Sequence, residues 1–219
     1  MKVLKGNALE DFSAEAYKAI CSSYKNIYMD IGTGDGSFSY RKASKDKAGF
    51  YIGLDAVADN MLESSKRAGR KVTKGGLDNV MFVICDALDM PEELSGSVDS
   101  IHINLPWGSL RDSVVKGEEK LLRGLTMIAK KNAALEVYVT YSPLYETKEI
   151  NLRLLPELSL DYINAELKRK YSFCGINIKK AELCSNEGLK SLDTQWAKKL
   201  AYGRKRDIYY LSGIINQTK

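Results

Sequence analysis

Short runs of apolar, β-branched and aromatic residues alternate along the chain with stretches in which apolar positions recur every three or four residues. That alternation predicts strands separated by helices. The runs fall near 27–31, 50–54, 80–85, 98–104, 134–140, 171–180 and 207–214. Helical spacing covers Ser13 to Tyr24, Ser37 to Lys45, Val57 to Val72, Ser109 to Lys130, Ser159 to Arg169 and Ser191 to Tyr202. Such an order predicts an α/β fold with a mostly parallel sheet covered by helices on both faces. Open sheets of this kind bind ligands beyond the carboxyl ends of their strands. Two connections after late strands stand out: one at 142–156 with Tyr145, Glu146, Lys148, Arg153 and Leu154, the other from Glu182 through Trp196 to Arg206.

Composition narrows the class. A chain of 219 residues suits one domain over 1–219, with those connections as substrate-facing loops. It contains four prolines and no Gly/Ser linker or run of about twenty apolar residues, so no membrane span is expected. Met1-Lys2-Val3-Leu4-Lys5-Gly6 lacks the apolar core of a signal peptide, which points to a cytoplasmic location. Cys21, Cys85, Cys174 and Cys184 lie far apart without a C-x-x-C pair, and buried reduced thiols are expected instead of a disulfide framework or zinc site. His102, the single histidine, falls inside the alternating run Val98 to Asn104. It is expected as a packed or rim side chain, and no metal centre is expected.

The most informative stretch is Asp30-Ile31-Gly32-Thr33-Gly34-Asp35-Gly36, entered directly from Ile27-Tyr28-Met29. A strand ending in three glycines at alternate positions predicts a sharp turn whose backbone comes close to a ligand. Asp55 and Asp86 close the next two strands, where acids can meet a ribose diol and an adenine amine, so the set points to an adenosine cofactor. A plain glycine turn with solvated acids is the alternative. The dinucleotide fingerprint requires G-x-G-x-x-G facing a pyrophosphate, whereas this stretch is G-x-G-x-G with carboxylates beside it. Those carboxylates would repel a pyrophosphate and could hold an α-ammonium group, which S-adenosylmethionine has. The stretch resembles motif I of the Rossmann-like class I S-adenosylmethionine-dependent methyltransferases. The resemblance implies a seven-stranded sheet with an antiparallel last strand, here with a short N-terminal extension. It places Asp30 and Gly32 near the methionine end, Asp55 on the ribose and Asp86 on the adenine edge.

Charge and aromatics bear on the substrate. The net charge of +5 is modest, but Lys66, Arg67, Arg70 and Lys71 crowd one region before Lys74, and Lys198, Lys199, Arg204, Lys205 and Arg206 crowd another. Such clusters suit phosphate contacts, and each is equally compatible with a solvated helix face. Asn104-Leu105-Pro106-Trp107-Gly108 follows the fourth strand and is close to the [Asn/Asp]-Pro-Pro-aromatic sequence of amino-methyltransferases, with leucine in place of the first proline. Trp107 could stack on a base whose edge the Pro106 carbonyl holds, or pack in the core under a helix start. Trp196, the only other tryptophan, stands before the second basic cluster. Two aromatics around an extracted base would offset its unpairing, since stacking contributes about 1–3 kcal/mol per base.

Over nearly its whole length the chain resembles the kanamycin-apramycin resistance family, 16S ribosomal RNA methyltransferases acting on N1 of the decoding-site adenine numbered 1408. The resemblance is carried by Leu4-Lys5-Gly6, Asp30 to Gly36, Tyr51-Ile52-Gly53, Lys74-Gly75-Gly76-Leu77, Thr140-Tyr141-Ser142 and above all Pro106-Trp107-Gly108 together with Trp196 to Arg206. It implies that Trp107 and Trp196 stack on the flipped adenine, with the Pro106 carbonyl accepting from its N6 amine. Gly34, Ala87, Asn104 and Thr194 complete the cofactor set. Arg206 grips the phosphate beside the target, and Lys66, Arg67, Arg70, Lys71, Arg153, Lys199 and Arg204 dock on RNA. Leu88 departs from relatives that carry glutamate there, so Asp86 is expected to take that contact. The implied partner is 16S rRNA in the small (30S) ribosomal subunit, met by a monomer. Because N1 carries a lone pair and no proton, transfer requires alignment and desolvation but no general base. Competing readings are an adenine-N6 methyltransferase, a nicotinamide-dependent oxidoreductase and a noncatalytic RNA-binding assembly factor.

Overall fold

Strand and helix alternate through the middle of the chain in a computed structural model that describes residues 1–185, 189, 192, 197 and 206–216. The first half contains β1 (Lys2–Lys5), β2 (Ala8–Asp11), α1 (Ala14–Ser23), β3 (Asn26–Ile31), α2 (Ser37–Lys45), β4 (Gly49–Asp55), α3 (Ala58–Ala68) and β5 (Val80–Ile84). The second half contains β6 (Val98–Asn104), α4 (Gly108–Lys116), α5 (Glu119–Ile128), β7 (Ala129–Val139), α6 (Pro143–Arg153), α7 (Leu160–Tyr162), α8 (Lys168–Phe173), β8 (Ile176–Leu183) and β9 (Tyr209–Ile215). A π turn, Ile163–Leu167, joins α7 to α8. The strands form one sheet in the order β2-β1-β5-β4-β3-β6-β7-β9-β8. β5, β4, β3, β6 and β7 run parallel, and β9 lies antiparallel between β7 and β8.

The seven expected strands are β3 to β9, and the N-terminal extension pairs as a hairpin that lengthens the sheet to nine. Its turn is Gly6-Asn7, with Gly6 at φ 63°, the positive value a two-residue hairpin loop needs at its first central position. The helix expected over Ser109 to Lys130 is two helices. Gly117, at φ 63°, caps α4 through its N–H to Ser113 and Val114, and Lys130 already belongs to β7. The strand expected at 171–180 begins at Ile176, because Tyr171 to Phe173 finish α8. The 142–156 connection is mostly helical, as α6. Most of the helix expected from Ser191 to Tyr202 lies outside the described residues.

Period-two alternation decides which face each side chain meets. Ile27, Met29 and Ile31 of β3 enter the main core with Leu135, Val137 and Val139 of β7, whereas Tyr28 and Asp30 turn to the other face. α5 buries Leu121, Leu122, Leu125 and Ile128 completely, each contributing about 1.5–3 kcal/mol by leaving water. All four cysteines are free, but only Cys174 is fully buried, which corrects the expectation that all are. No described helix is long and apolar enough to cross a membrane.

Asn79 ties α2 to the start of β4. Its side chain is 1% exposed, and its Nδ2 donates to the carbonyls of Ala43 (3.0 Å), Asp46 (2.8 Å) and Gly49 (3.0 Å). Asn79→Ala should cost about 2–3 kcal/mol, because it leaves carbonyls without a donor. A urea denaturation midpoint equal to that of the parent would refute this.

Candidate active site

The carboxyl ends of the central strands open into a cleft of about 480 Å³. Its floor is the turn after β3, in which Gly32, Gly34 and Gly36 have φ of 71°, 58° and 69°, a left-handed backbone that favours glycine. A Cβ on Gly34 would meet no atom of the described residues within 4 Å, whereas a Cβ on Gly36 would lie 2.5 Å from the Phe82 ring. The turn is pinned to β4, since Gly32 and Thr33 donate to the Leu54 carbonyl at 2.8 and 3.0 Å. Asp55 accepts from Gly34 N at 2.9 Å and from Val57 N at 3.0 Å, which holds its carboxylate at the cleft wall.

Asp30 lies beneath this turn, 3% exposed. It accepts from Thr33 Oγ1 at 2.6 Å and Asn104 Nδ2 at 2.8 Å. Burial pushes its pKa up to about 6, against the opposing effect of those two hydrogen bonds. Asn104 Oδ1 is buried with no hydrogen-bond partner among the described residues. An open acceptor beside a buried carboxylate fits a ligand ammonium group, so these residues suit the methionine end of S-adenosylmethionine. Asp86, on the far wall, is exposed and accepts from Leu88 N at 2.9 Å. Ala87 is buried beside it, while Leu88 packs against the main core. Cys85 also lines the cleft, its thiol pushed up to about 11 by burial and then by Asp86 and Asp89, which makes it a poor nucleophile.

The opposite lip is the turn after β6. Leu105 (φ 53°) and Gly108 (φ 60°) bracket Pro106 and Trp107 in left-handed conformations. Leu105 donates its N–H to Tyr138 O at 2.8 Å and packs with Leu189, Leu192, Ala197 and Ile208. Pro106 is buried and Trp107 is 48% exposed, so the tryptophan stands on the rim and not in the core. Beneath its ring lies Arg111, whose guanidinium carbon is 5.1 Å from the indole centroid. Sequence reasoning missed Arg111; its place one helical turn after Trp107 was the available signal.

The expected RNA contacts fall into three groups. Lys66, Arg67, Arg70 and Lys71 are exposed at and beyond the end of α3, with Arg67 4.4 Å from the Tyr40 ring centroid and Lys66 3.7 Å from Glu63. The loop after them folds on its own backbone, and a Cβ on Gly76 would lie 1.7 Å from the Arg70 carbonyl oxygen. Arg153 and Arg206 belong to an ion network at the opposite lip, paired with Asp112 at 2.8 Å and Glu146 at 2.9 Å. Thr194, Trp196, Lys199 and Arg204 lie outside the described residues. His102 sits behind Asp30 on the α2 side of the sheet, 3.3 Å from Glu136 and 3.3 Å from Ser100 Oγ.

A glycine turn pinned over a buried carboxylate, an acid at the end of each of three successive parallel strands, and an antiparallel strand beside β7 define a Rossmann-like class I methyltransferase. The chain matches the NpmA family, 16S rRNA (adenine(1408)-N(1))-methyltransferase, over residues 2–215, and it belongs to that family. The enzyme of this name from Escherichia coli is 39% identical over 218 residues, spanning 99% of this chain and 100% of the relative. A crystal structure of the corresponding methyltransferase from Catenulisporales acidiphilia, a tryptophan-to-alanine variant with cosubstrate SAM, superposes with a TM-score of 0.90 at 29% identity, covering 100% of this chain and 98% of that one. The aminoglycoside resistance methyltransferase NpmB1 superposes with a TM-score of 0.84 at 29% identity, covering 98% of each chain.

Asp30 yields a signed pH dependence. Its carboxyl is neutral below about pH 6 and cannot then pair with a cation. Affinity for S-adenosylmethionine should therefore be full near pH 8 and fall by up to about tenfold per unit as the pH drops below about 6. Asp30→Asn should remove most of that dependence and weaken binding at pH 8. It should not reduce the thermal stability of the ligand-free protein there, because the raised value means that ionisation costs the fold stability as pH rises through about 4 to 6. Calorimetric titration at several pH values, with thermal melts, checks both; an affinity constant across that range would contradict the assignment.

Proposed function

We propose that the chain transfers the methyl group of S-adenosylmethionine to N1 of adenine 1408 in the 16S rRNA decoding site, acting as a cytoplasmic monomer of one domain on the small (30S) ribosomal subunit. The observation that carries this reading is the half-exposed Trp107 facing the glycine turn across a single cleft, in a chain that matches the family over residues 2–215. When bound, S-adenosylmethionine supplies an electrophilic methyl group on its sulfonium. Asp30 and Asn104 hold the ammonium, Asp55 the ribose, and Asp86 with Ala87 the adenine edge, while Gly32 and Gly34 let the ligand lie close to the backbone.

Trp107 offers one face to the extracted base, and Trp196, next in sequence to a residue packed in the Leu105 cluster, is assigned the other. The Pro106 carbonyl accepts from the N6 amine, which turns N1 toward the donor. N1 attacks with its own lone pair, so no side chain has to remove a proton, and the lip contributes alignment and exclusion of water. Arg206 meets the target phosphate, Thr194 is assigned to the cofactor, and Lys66, Arg67, Arg70, Lys71, Arg153, Lys199 and Arg204 are assigned to the RNA surface. The segments near 142–156 and 182–206 carry this recognition. The product base bears a methyl group and a fixed positive charge in the drug pocket, which disfavours a polycationic aminoglycoside.

Incubation of the protein with S-adenosylmethionine and 30S subunits should create a reverse-transcription stop at adenine 1408, because N1 methylation blocks the pairing edge. Cells expressing it should gain resistance to kanamycin, apramycin and neomycin. Trp107→Ala should lower methylation by about tenfold to a hundredfold, the equivalent of a lost base stack. Methyl transfer without a stop would instead indicate N6 or another nucleotide, and no transfer at all would indicate a noncatalytic role.

A further inference from the structure

Arg111 is 1% exposed, an expensive place for a guanidinium unless charge and hydrogen bonds compensate it. Three carboxylates surround it: Asp112 at 3.5 Å, Glu146 at 3.4 Å and Glu149 at 3.3 Å. None approaches as closely as Asp112 does Arg153 (2.8 Å) or Glu146 does Arg206 (2.9 Å), and Arg111 Nε makes no hydrogen bond among the described residues. Among those residues the three acids and three arginines balance in charge. Arg111 is thus centred among its partners instead of forked onto one, which leaves its plane to aromatic neighbours. Its guanidinium carbon lies 5.1 Å from the Trp107 centroid and 5.7 Å from that of buried Tyr141, within cation–π range.

These contacts join parts that lie apart in sequence. Trp107 sits at the N-cap of α4, and Glu146 belongs to α6, where it breaks the helical backbone at φ −127° and accepts from Ser142 N at 2.8 Å as well as from Arg206. We infer that Arg111 is a positioning residue for methyl transfer, setting the pose of the Trp107 ring and, through the carboxylate it shares with Arg206, fixing that pose relative to the phosphate contact. The inference rests on the reading of Trp107 as the base-stacking surface. Its consequence is selective: the exposed cations at the end of α3 are untouched by Arg111, so its loss should disturb alignment and leave the capture of the subunit by those cations intact.

The test is steady-state methylation of 30S subunits, with calorimetric S-adenosylmethionine binding, for Arg111→Lys, which keeps the charge without the planar fork. A second variant, Arg111→Leu with Glu149→Gln, keeps the network electroneutral and so protects folding. Both should lower kcat by about ten- to a hundredfold, the cost of misaligned reactants, with KM for the subunit and cofactor affinity within about twofold. In a Trp196→Phe background Trp107 is the sole tryptophan, and Arg111→Lys should shift its emission and raise its quenching by acrylamide. Parental kcat in both variants, while Trp107→Ala is impaired, would overturn the positioning role alone. A loss in KM and cofactor affinity matching the loss in kcat would overturn it in favour of a general structural role. Full activity of Trp107→Ala would overturn the stacking reading and the inference with it.

Discussion

A carboxylate shielded from water at the carboxyl edge of the sheet, and held there by hydrogen bonds, sets the plan of this site. Asp30 stands one residue before the end of the central strand β3, and the parallel register places it opposite Gly53 of β4 and His102 of β6. Gly53 is part of the solution: a Cβ there would lie 3.0 Å from Thr33 Cγ2 and 3.1 Å from Thr33 Oγ1, so its absence lets the threonine fold back and donate to Asp30. Asn104, two residues beyond His102, reaches the other carboxylate oxygen. The register of three strands therefore creates a buried acceptor pair that neither strand could make alone, and the glycine turn closes over it.

The opposite lip solves a related problem with different chemistry. In the proposed reading this lip meets a target phosphate with arginines, and arginines left free beside an apolar surface would be solvated and mobile. Arg153 and Arg206 are instead each paired with a carboxylate held by α4 or α6, and buried Arg111 links those carboxylates beneath the exposed indole. The cations at the end of α3 stay exposed. Under the proposed function, preorganised charge at the lip and open charge away from it suit alignment and docking as separate tasks.

Much of the scaffold was legible because strand and helix periods survive in a single sequence. The glycine loop and the acids after β4 and β5 could be located as soon as β3 was read. The N-terminal hairpin was not recognised, since two strands of four residues each carry too little alternation, although Gly6-Asn7 between them is a hairpin signal. The α4–α5 break was overlooked because Gly117 stands inside an otherwise continuous helical pattern, where only its left-handed cap distinguishes a break from a tolerated glycine. Trp107 illustrates the remaining ambiguity, because a rim tryptophan and a core tryptophan at a helix start have the same local sequence.

The sequence by itself determined the order of most elements, the chemical character of the cofactor pocket and the presence of two basic clusters, since these depend on periodicity and on residues close together in the chain. Only the tertiary structure decided that Asp30 is buried with a raised pKa, that Asn104 keeps an open acceptor, and that Arg111 lies under Trp107 amid acids from α4 and α6. Each of those depends on desolvation or on charges brought together by strand register and helix packing. Burial and long-range electrostatics are properties of the packed chain, and no window of sequence contains them.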